Sequence, residues 1–192
     1  LCTIFEKPSL KMASYTITEK GYAIKKADGD YTDIVKCDIE NGPVKPIHAM
    51  SITTSLLYHR YKNGAFPIAI VSMDNCSHNG EKLQASVMTV AEEWIKHKKV
   101  DSKFLDYLKT KVSFPWSMID KITPRPSDKI KDKINTLGIE DMDPVITSKG
   151  TYIAPFVNAE VPEYLVVEDS FPNGRPPLED AGVYMTTRDT VN

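Results

Sequence analysis

The chain has 192 residues, 41% hydrophobic and 26% charged, enough for one complete domain or one and part of another. A formal net charge of −2 gives no basis for a nucleic acid or an anionic membrane as partner. Its 3 cysteines (Cys2, Cys37, Cys76), without a CxxC, argue against a disulfide framework and for a reducing cytoplasm, and neither a signal-peptide pattern nor an apolar run near the ~18 residues of a spanning helix is present.

Leu1–Leu10 reads as an irregular lead-in, and the opening at Leu1 rather than Met predicts a piece of something longer. Ala13–Thr18 is β-prone and ends in the polar turn Glu19-Lys20-Gly21. Ala27–Asp30 is a turn, and the segment on to Pro46 reads as loop, with Asn41-Gly42-Pro43 as its breaker. A helix is expected from Ile47 to Lys62, with Ile52, Leu56 and Leu57 inward and Asn63-Gly64 as its end.

Phe66–Val71 is a short apolar run rich in β-branched residues, the pattern of a strand buried on both faces. Ser72–Gly80 then packs a carboxylate, amides, a thiol, hydroxyls and an imidazole into one turn. After it, Leu83, Val87, Val90, Ala91, Trp94 and Ile95 share one face at helical spacing. A buried strand feeding a helix through a polar turn puts that turn at the strand's carboxyl edge, where open α/β sheets bind their ligands.

Asp101 is the expected N-cap of the next helix, which buries Phe104, Leu105 and Leu108. Lys111–Asp120 reads as a strand running into a further polar turn. Pro124 and Pro126 exclude a helix there, so the next begins near Ser127 and shows Ile130, Ile134 and Leu137, with Gly138 as its C′ residue. Tyr164–Glu168 and Val183–Thr186 read as strands joined by the Pro- and Gly-rich Phe171–Pro177. Alternating strands and helices argue for an α/β fold: a Rossmann-like, mostly parallel sheet with helices on both faces and added antiparallel strands near the carboxyl end. The phosphate-binding fingerprint is missing, because the 9 glycines never form GxG and no GxxxxGK occurs.

Several side chains at these turns carry possible chemistry. Asp74, Cys76 and His78 alternate as metal ligands or a Cys–His nucleophile pair would, but alternation in a turn fixes no common direction, and a nucleophile needs a base in contact. Asn75 offers a neutral amide that can donate to an oxygen gaining negative charge; its plainer role is an Asx turn. Asp120, Glu168-Asp169 and Thr18-Glu19-Lys20 occupy comparable positions. His48, His59 and His97 read as surface or helix-face residues, Trp94 and Trp116 as core. Arg175 reads as a turn residue that a rigid loop could aim at an anion.

Four of these turns occur in a recognisable order. Thr16-Ile-Thr-Glu-Lys-Gly-Tyr22, Ser72-Met-Asp-Asn-Cys-Ser-His-Asn-Gly80, Val112-Ser-Phe-Pro-Trp-Ser-Met-Ile-Asp-Lys-Ile-Thr-Pro124 and Val166-Val-Glu-Asp-Ser-Phe-Pro-Asn-Gly-Arg-Pro176 together resemble the polyol-specific long-chain dehydrogenases, including mannitol dehydrogenases and fructuronate and tagaturonate reductases. The third departs mildly, with Ile119 where Val is usual and Lys121 where Arg is usual; Lys lacks the planar fork of Arg.

The resemblance implies hydride transfer between NAD or NADP and a sugar alcohol or hexuronate, without a catalytic metal. It implies a substrate-holding amide at Asn75 and cofactor-side roles for Thr18, Glu19, Asp74 and Asp120. On this reading residues 1–192 are the second part of a Rossmann-type domain, with its added strands at about 145–192. The glycine-rich amino-terminal part and the helical substrate domain are expected to be missing. No Lys-x4-Asn-x2-His pattern, the family's source of its general base, occurs in the chain, which alone should not turn over. The competing readings are a non-catalytic binding or structural module of the same fold and, more distantly, a hydrolase using Cys76 and His78.

Overall fold

A five-residue strand, every residue of it buried, lies at the centre of the fold because both its faces are covered. The computed structural model describes residues 1–119, 125–157 and 165–191. It falls into two units, one of residues 1–119 with 165–191 and one of residues 125–157. The first unit begins with helix α1 (Cys2–Phe5), strand β1 (Met12–Tyr15), a 3₁₀ turn (Glu19–Tyr22) and helices α2 (Asp33–Asn41) and α3 (Ala49–Lys62). The central strand β2 (Ile68–Ser72) comes next, then α4 (Asn79–Lys96), α5 (Lys103–Lys111), β3 (Val112–Ser113) and β4 (Ser117–Met118). The second unit holds α6 (Asp128–Thr136) and the antiparallel pair β5 (Val145–Ile146) and β6 (Tyr152–Ile153). Strand β7 (Leu165–Glu168), a 3₁₀ turn (Leu178–Ala181), β8 (Val183–Thr186) and α7 (Arg188–Val191) complete the first.

Strands β1, β2 and β3 pair in parallel and in sequential order, with Tyr15 opposite Ser72 and Ile68 opposite Val112. Sequential parallel strands joined by right-handed crossovers place every crossover helix on the same face. The alternation of side chains along β2 shows this. Ile68 and Ile70 enter a core with Val35, Leu57, Leu83, Val87, Trp94, Phe104 and Leu108, drawn from α2 to α5. Ala69 and Val71 point the other way and meet Val167 of β7, flanked by Met12, Leu165, Val183 and Met185. Strand β7 runs antiparallel to β4 and parallel to β8, so the added strands form a mixed second sheet. The mostly parallel sheet with antiparallel additions is the fold class expected from the sequence, but the helices expected on both faces pack on one, and strands β7 and β8 cover the other side of β2.

The apolar face of α4 is as read from its spacing: Leu83, Val87, Val90, Ala91 and Trp94 are buried, each such side chain contributing about 1.5–3 kcal/mol when large. Trp94 Nε1 donates to the Asp38 carbonyl at 2.9 Å, which satisfies the one polar atom of that ring.

Four expectations need correction. The segment between Asp30 and Pro46 is not loop throughout, since α2 occupies Asp33–Asn41; Thr32 caps it, accepting from the Val35 amide at 3.4 Å, and its Asn41-Gly42-Pro43 breaker is the helix end. Short polar stretches with only Val35 and Ile39 inward give too few apolar positions for the periodicity to be visible. Asp101 does not cap α5, whose N-cap is Ser102; its carboxylate accepts from the Tyr61 hydroxyl at 2.8 Å instead. The strand expected at Lys111–Asp120 is divided at Phe114-Pro115-Trp116, so that β3 joins the parallel sheet and β4 the mixed one. Finally, Leu1–Leu10, read as an irregular lead-in, contains α1.

Candidate active site

Because β1, β2 and β3 are parallel, the loops that follow them leave the sheet at one rim. Residues 16–22 follow β1, residues 73–78 follow β2, and Phe114–Trp116 follow β3. Polar residues at strand ends and loop starts bind these three segments together.

Tyr22 is 3% exposed, and its hydroxyl donates to Asp74 Oδ2 while touching Ser72 Oγ. Ser72 Oγ donates to the same Asp74 oxygen at 3.0 Å, and Cys76 Sγ donates to Asp74 Oδ1 at 3.0 Å. Both oxygens of Asp74 are thus taken up inside the protein. Burial, then the bond to Asp74, pushes the Cys76 thiol up to about 12 and the Tyr22 phenol well above its ordinary range. Both groups keep their protons at neutral pH and act as donors.

Asn79, 1% exposed and the first residue of α4, joins the second and third loops. Its Nδ2 donates to the carbonyls of Asp74 and Ser117 at 3.0 Å each, and its Oδ1 accepts from the Gly80 and Ser117 amides at 2.8 and 3.1 Å. Ser117 Oγ in turn donates to the Ser72 carbonyl. Gly80 is required here by space: a Cβ would stand 2.6 Å from the Phe114 carbonyl oxygen and 2.8 Å from that of Pro115.

Above this network lies a cavity of about 250 Å³ lined by Asp74–Asn79, Trp116–Met118 and Val191. Its wall is a stack of aromatic and cationic groups. The His78 ring lies 4.5 Å from that of Trp116, and the Arg188 guanidinium sits 5.1 Å from the same indole. Glu168 accepts from the Trp116 amide at 3.0 Å and from Arg188 Nε at 3.1 Å. His78 holds φ +55°, a left-handed value rare for a residue with a side chain, just where the chain turns into α4.

Of the residues singled out from sequence, the fold brings Asp74, Asn75, Cys76, His78 and Trp116 to this cavity. Asn75 is exposed, and its amide has no partner among the described residues. Glu19 lies in a neighbouring open groove of about 450 Å³ with Tyr22 and Lys82, and pairs with Lys82 at 2.5 Å. Thr18 is exposed and is the N-cap of the 3₁₀ turn. Asp120 lies outside the described residues. Glu168 and Asp169 are engaged by Arg188 and Arg175, and Arg175 spans Asp169 and Glu179, so none of these three presents a free charge. His48 caps α3, accepting from the Met50 amide at 3.2 Å, while His59 and His97 pair with Glu6 and Glu93. Trp116 is buried, as read, but as cavity wall.

The pairing of Cys76 with Asp74 removes the nucleophile reading, because a thiol held neutral is a poor attacking group. Among the described residues, no group of three His, Cys, Asp or Glu could hold a metal ion, and no helix is long and apolar enough to cross a membrane. The sequence reading missed Tyr22, Ser72, Asn79 and Ser117. Their one visible signal is a hydroxyl or amide directly beside an otherwise apolar run.

The family expected from the four turns is the one that matches. The mannitol dehydrogenase Rossmann domain fits residues 6–180. D-Mannonate oxidoreductase of Thermotoga maritima is 55% identical over 190 residues, covering 98% of this chain and 35% of that protein. A mannitol dehydrogenase of Saccharomyces cerevisiae is 36% identical over 92% of this chain and 32% of its own length. The solved ternary complex of Pseudomonas fluorescens mannitol 2-dehydrogenase with NAD and D-mannitol superposes with a TM-score of 0.65 at 27% identity, covering 99% of this chain and 35% of that one. The chain therefore spans about a third of the length of the relatives it matches. With parallel strands, a polar loop rim and a family match over most of its length, this chain belongs to the mannitol dehydrogenase family, of which it carries Rossmann-domain sequence.

Proposed function

We propose that this chain forms part of the reaction crevice of an NAD(P)-dependent oxidoreductase that interconverts a secondary hydroxyl and a ketone on a sugar acid or sugar alcohol. The observation that carries the reading is the Asn75 amide, exposed and unpartnered among the described residues, on the wall of a cavity at the carboxyl rim of a parallel sheet. The 55% identity to a D-mannonate oxidoreductase, against 36% to a mannitol dehydrogenase, favours a sugar acid as substrate.

The cavity is the right size for one end of a dinucleotide. About 250 Å³ falls just under the ~300–1,000 Å³ of small-molecule sites, which suits a nicotinamide ring and not a whole cofactor. The neutral polar groups that line the cavity suit the carboxamide of a nicotinamide. Bound there, nicotinamide supplies the hydride-accepting chemistry.

The chain's own residues then act on the substrate oxygen. Asn75 Nδ2 donates to that oxygen as charge develops, stabilising the oxidation and its reverse alike, with no metal required. Asp74, Ser72 and Tyr22 hold the Asn75 loop, so Asp74 serves the cofactor side by shaping it. Thr18 and Glu19 border the same rim from the β1 loop. The stacked His78 and Trp116 rings narrow the cavity and exclude water. The general base, a lysine of a Lys-x4-Asn-x2-His helix, is not among these 192 residues. The free thiols of Cys2, Cys37 and Cys76 accord with a cytoplasmic enzyme.

The test is a panel of D-mannonate, D-mannitol, fructuronate and tagaturonate with each nicotinamide cofactor on the full-length protein. A sugar-acid pair giving the highest kcat/KM is expected. No turnover with any pair would overturn the reading.

A further inference from the structure

Asn75 itself is bonded to nothing among the described residues, so its position depends on its neighbour Asp74. Asp74 is 7% exposed and is gripped from three sides: by Tyr22 and Ser72 on Oδ2 and by Cys76 on Oδ1. Ser72 and Cys76 lie on the same stretch of chain as Asp74 and move with it. Tyr22 does not. It comes from the loop after β1, 52 residues earlier in the chain, and it is anchored independently, its carbonyl accepting from Ser86 Oγ of α4 at 2.8 Å. A phenylalanine would fill the same core space, so the buried hydroxyl is explained by what it holds.

We propose that Tyr22 is a positioning residue for the reaction, its hydroxyl fixing Asp74 against the β1 loop and thereby setting where the Asn75 amide meets the substrate oxygen. The inference rests on the oxidoreductase reading of Asn75. It also makes the Thr18-Glu19 turn and the Asn75 loop one rigid piece, because Tyr22 ends the 3₁₀ turn that begins at Glu19. A misplaced donor is costly, since displacement by about 1 Å can lower a rate by about 10²-fold.

The experiment is a double-mutant cycle on the full-length enzyme with its best sugar and cofactor, using Tyr22→Phe, Asn75→Ala and the pair. Tyr22→Phe is expected to lower kcat about tenfold, with the cofactor KM within about twofold and Tm within a few degrees of the parent. In the Asn75→Ala background the same change should cost almost nothing, because the two act in series. An unchanged kcat in Tyr22→Phe overturns the proposal. So does an equal tenfold loss in both backgrounds, or a fall in Tm of more than about 10 °C, which would mark Tyr22 as structural alone. If the parent is active and Tyr22→Phe is unchanged, only this inference falls; if the parent turns over no sugar, the oxidoreductase reading falls with it.

Discussion

At the scale of single residues, the chemistry of this rim turns on which groups are satisfied by the protein and which are left for a ligand. Asp74 has both oxygens occupied, whereas Asn75 beside it has an open amide. Asn75→Ala in the full-length enzyme should therefore lower kcat by about 10²–10³, the usual worth of one oxyanion donor, while Tm stays within a few degrees. Steady-state kinetics beside a thermal melt will separate the two. Cys76 makes the opposite case. Its thiol is pushed up to about 12 by burial and then by the bond to Asp74, against about 8.5 for a free thiol. The thiolate, which is the reactive form, gains population only as pH approaches 12. Alkylation by iodoacetamide at pH 8 should therefore label Cys2 and Cys37, both exposed, at least about tenfold faster than Cys76. Peptide mass spectrometry over a time course reads this directly, and fast labelling of Cys76 would reopen the thiol chemistry.

Elements are held to one another here by close backbone approach and by one buried cation. The start of α4 approaches the Phe114–Trp116 segment so tightly that Gly80→Ala would set a methyl against two carbonyl oxygens. Overpacking of this kind costs about 1–3 kcal/mol, so Tm should fall by about 2–12 °C, and turnover with it because Asn79 and Ser117 shift. At the opposite end of β2, Arg60 is fully buried and every guanidinium nitrogen is used. Nε donates to Phe66 at 2.8 Å, Nη1 to Phe5 and Lys7 at 2.6 and 2.8 Å, and Nη2 to Leu10 and Pro67 at 3.0 and 2.9 Å, all to carbonyl oxygens. This fork fastens the lead-in and α1 to the entry of β2. Arg60→Met should cost about 3 kcal/mol or more, since it strands carbonyl acceptors that are buried or partly buried, and Arg60→Lys should not restore it, having no planar fork. Chemical denaturation of both variants checks the claim. Such a role was not readable beforehand, because the carbonyls that Arg60 serves lie up to 55 positions away.

The whole molecule divides its work in the same way. The 192-residue chain alone should turn over no sugar, while the full-length protein should do so, a comparison made with the same cofactor and substrate panel on both; activity of the chain alone would show that its general base lies within it. Sequence by itself determined the parallel α/β class, the central strand, the inward face of α4 and the family, since each is written in local periodicity or in ordered motifs. Residues 72–80 stood out as a candidate site because polar groups crowd there directly after an apolar strand. What tertiary structure alone decided is how that crowd is sorted. Asp74 turned inward and Asn75 outward because Tyr22, a full crossover away, supplies the donor that Asp74 needs once water is gone. Likewise α2 exists because its Val35 and Ile39 find a core built by other helices, and β3 parts from β4 because two different sheets claim them. Hydrogen bonds and burial join residues far apart in the chain, and no local pattern records their partners.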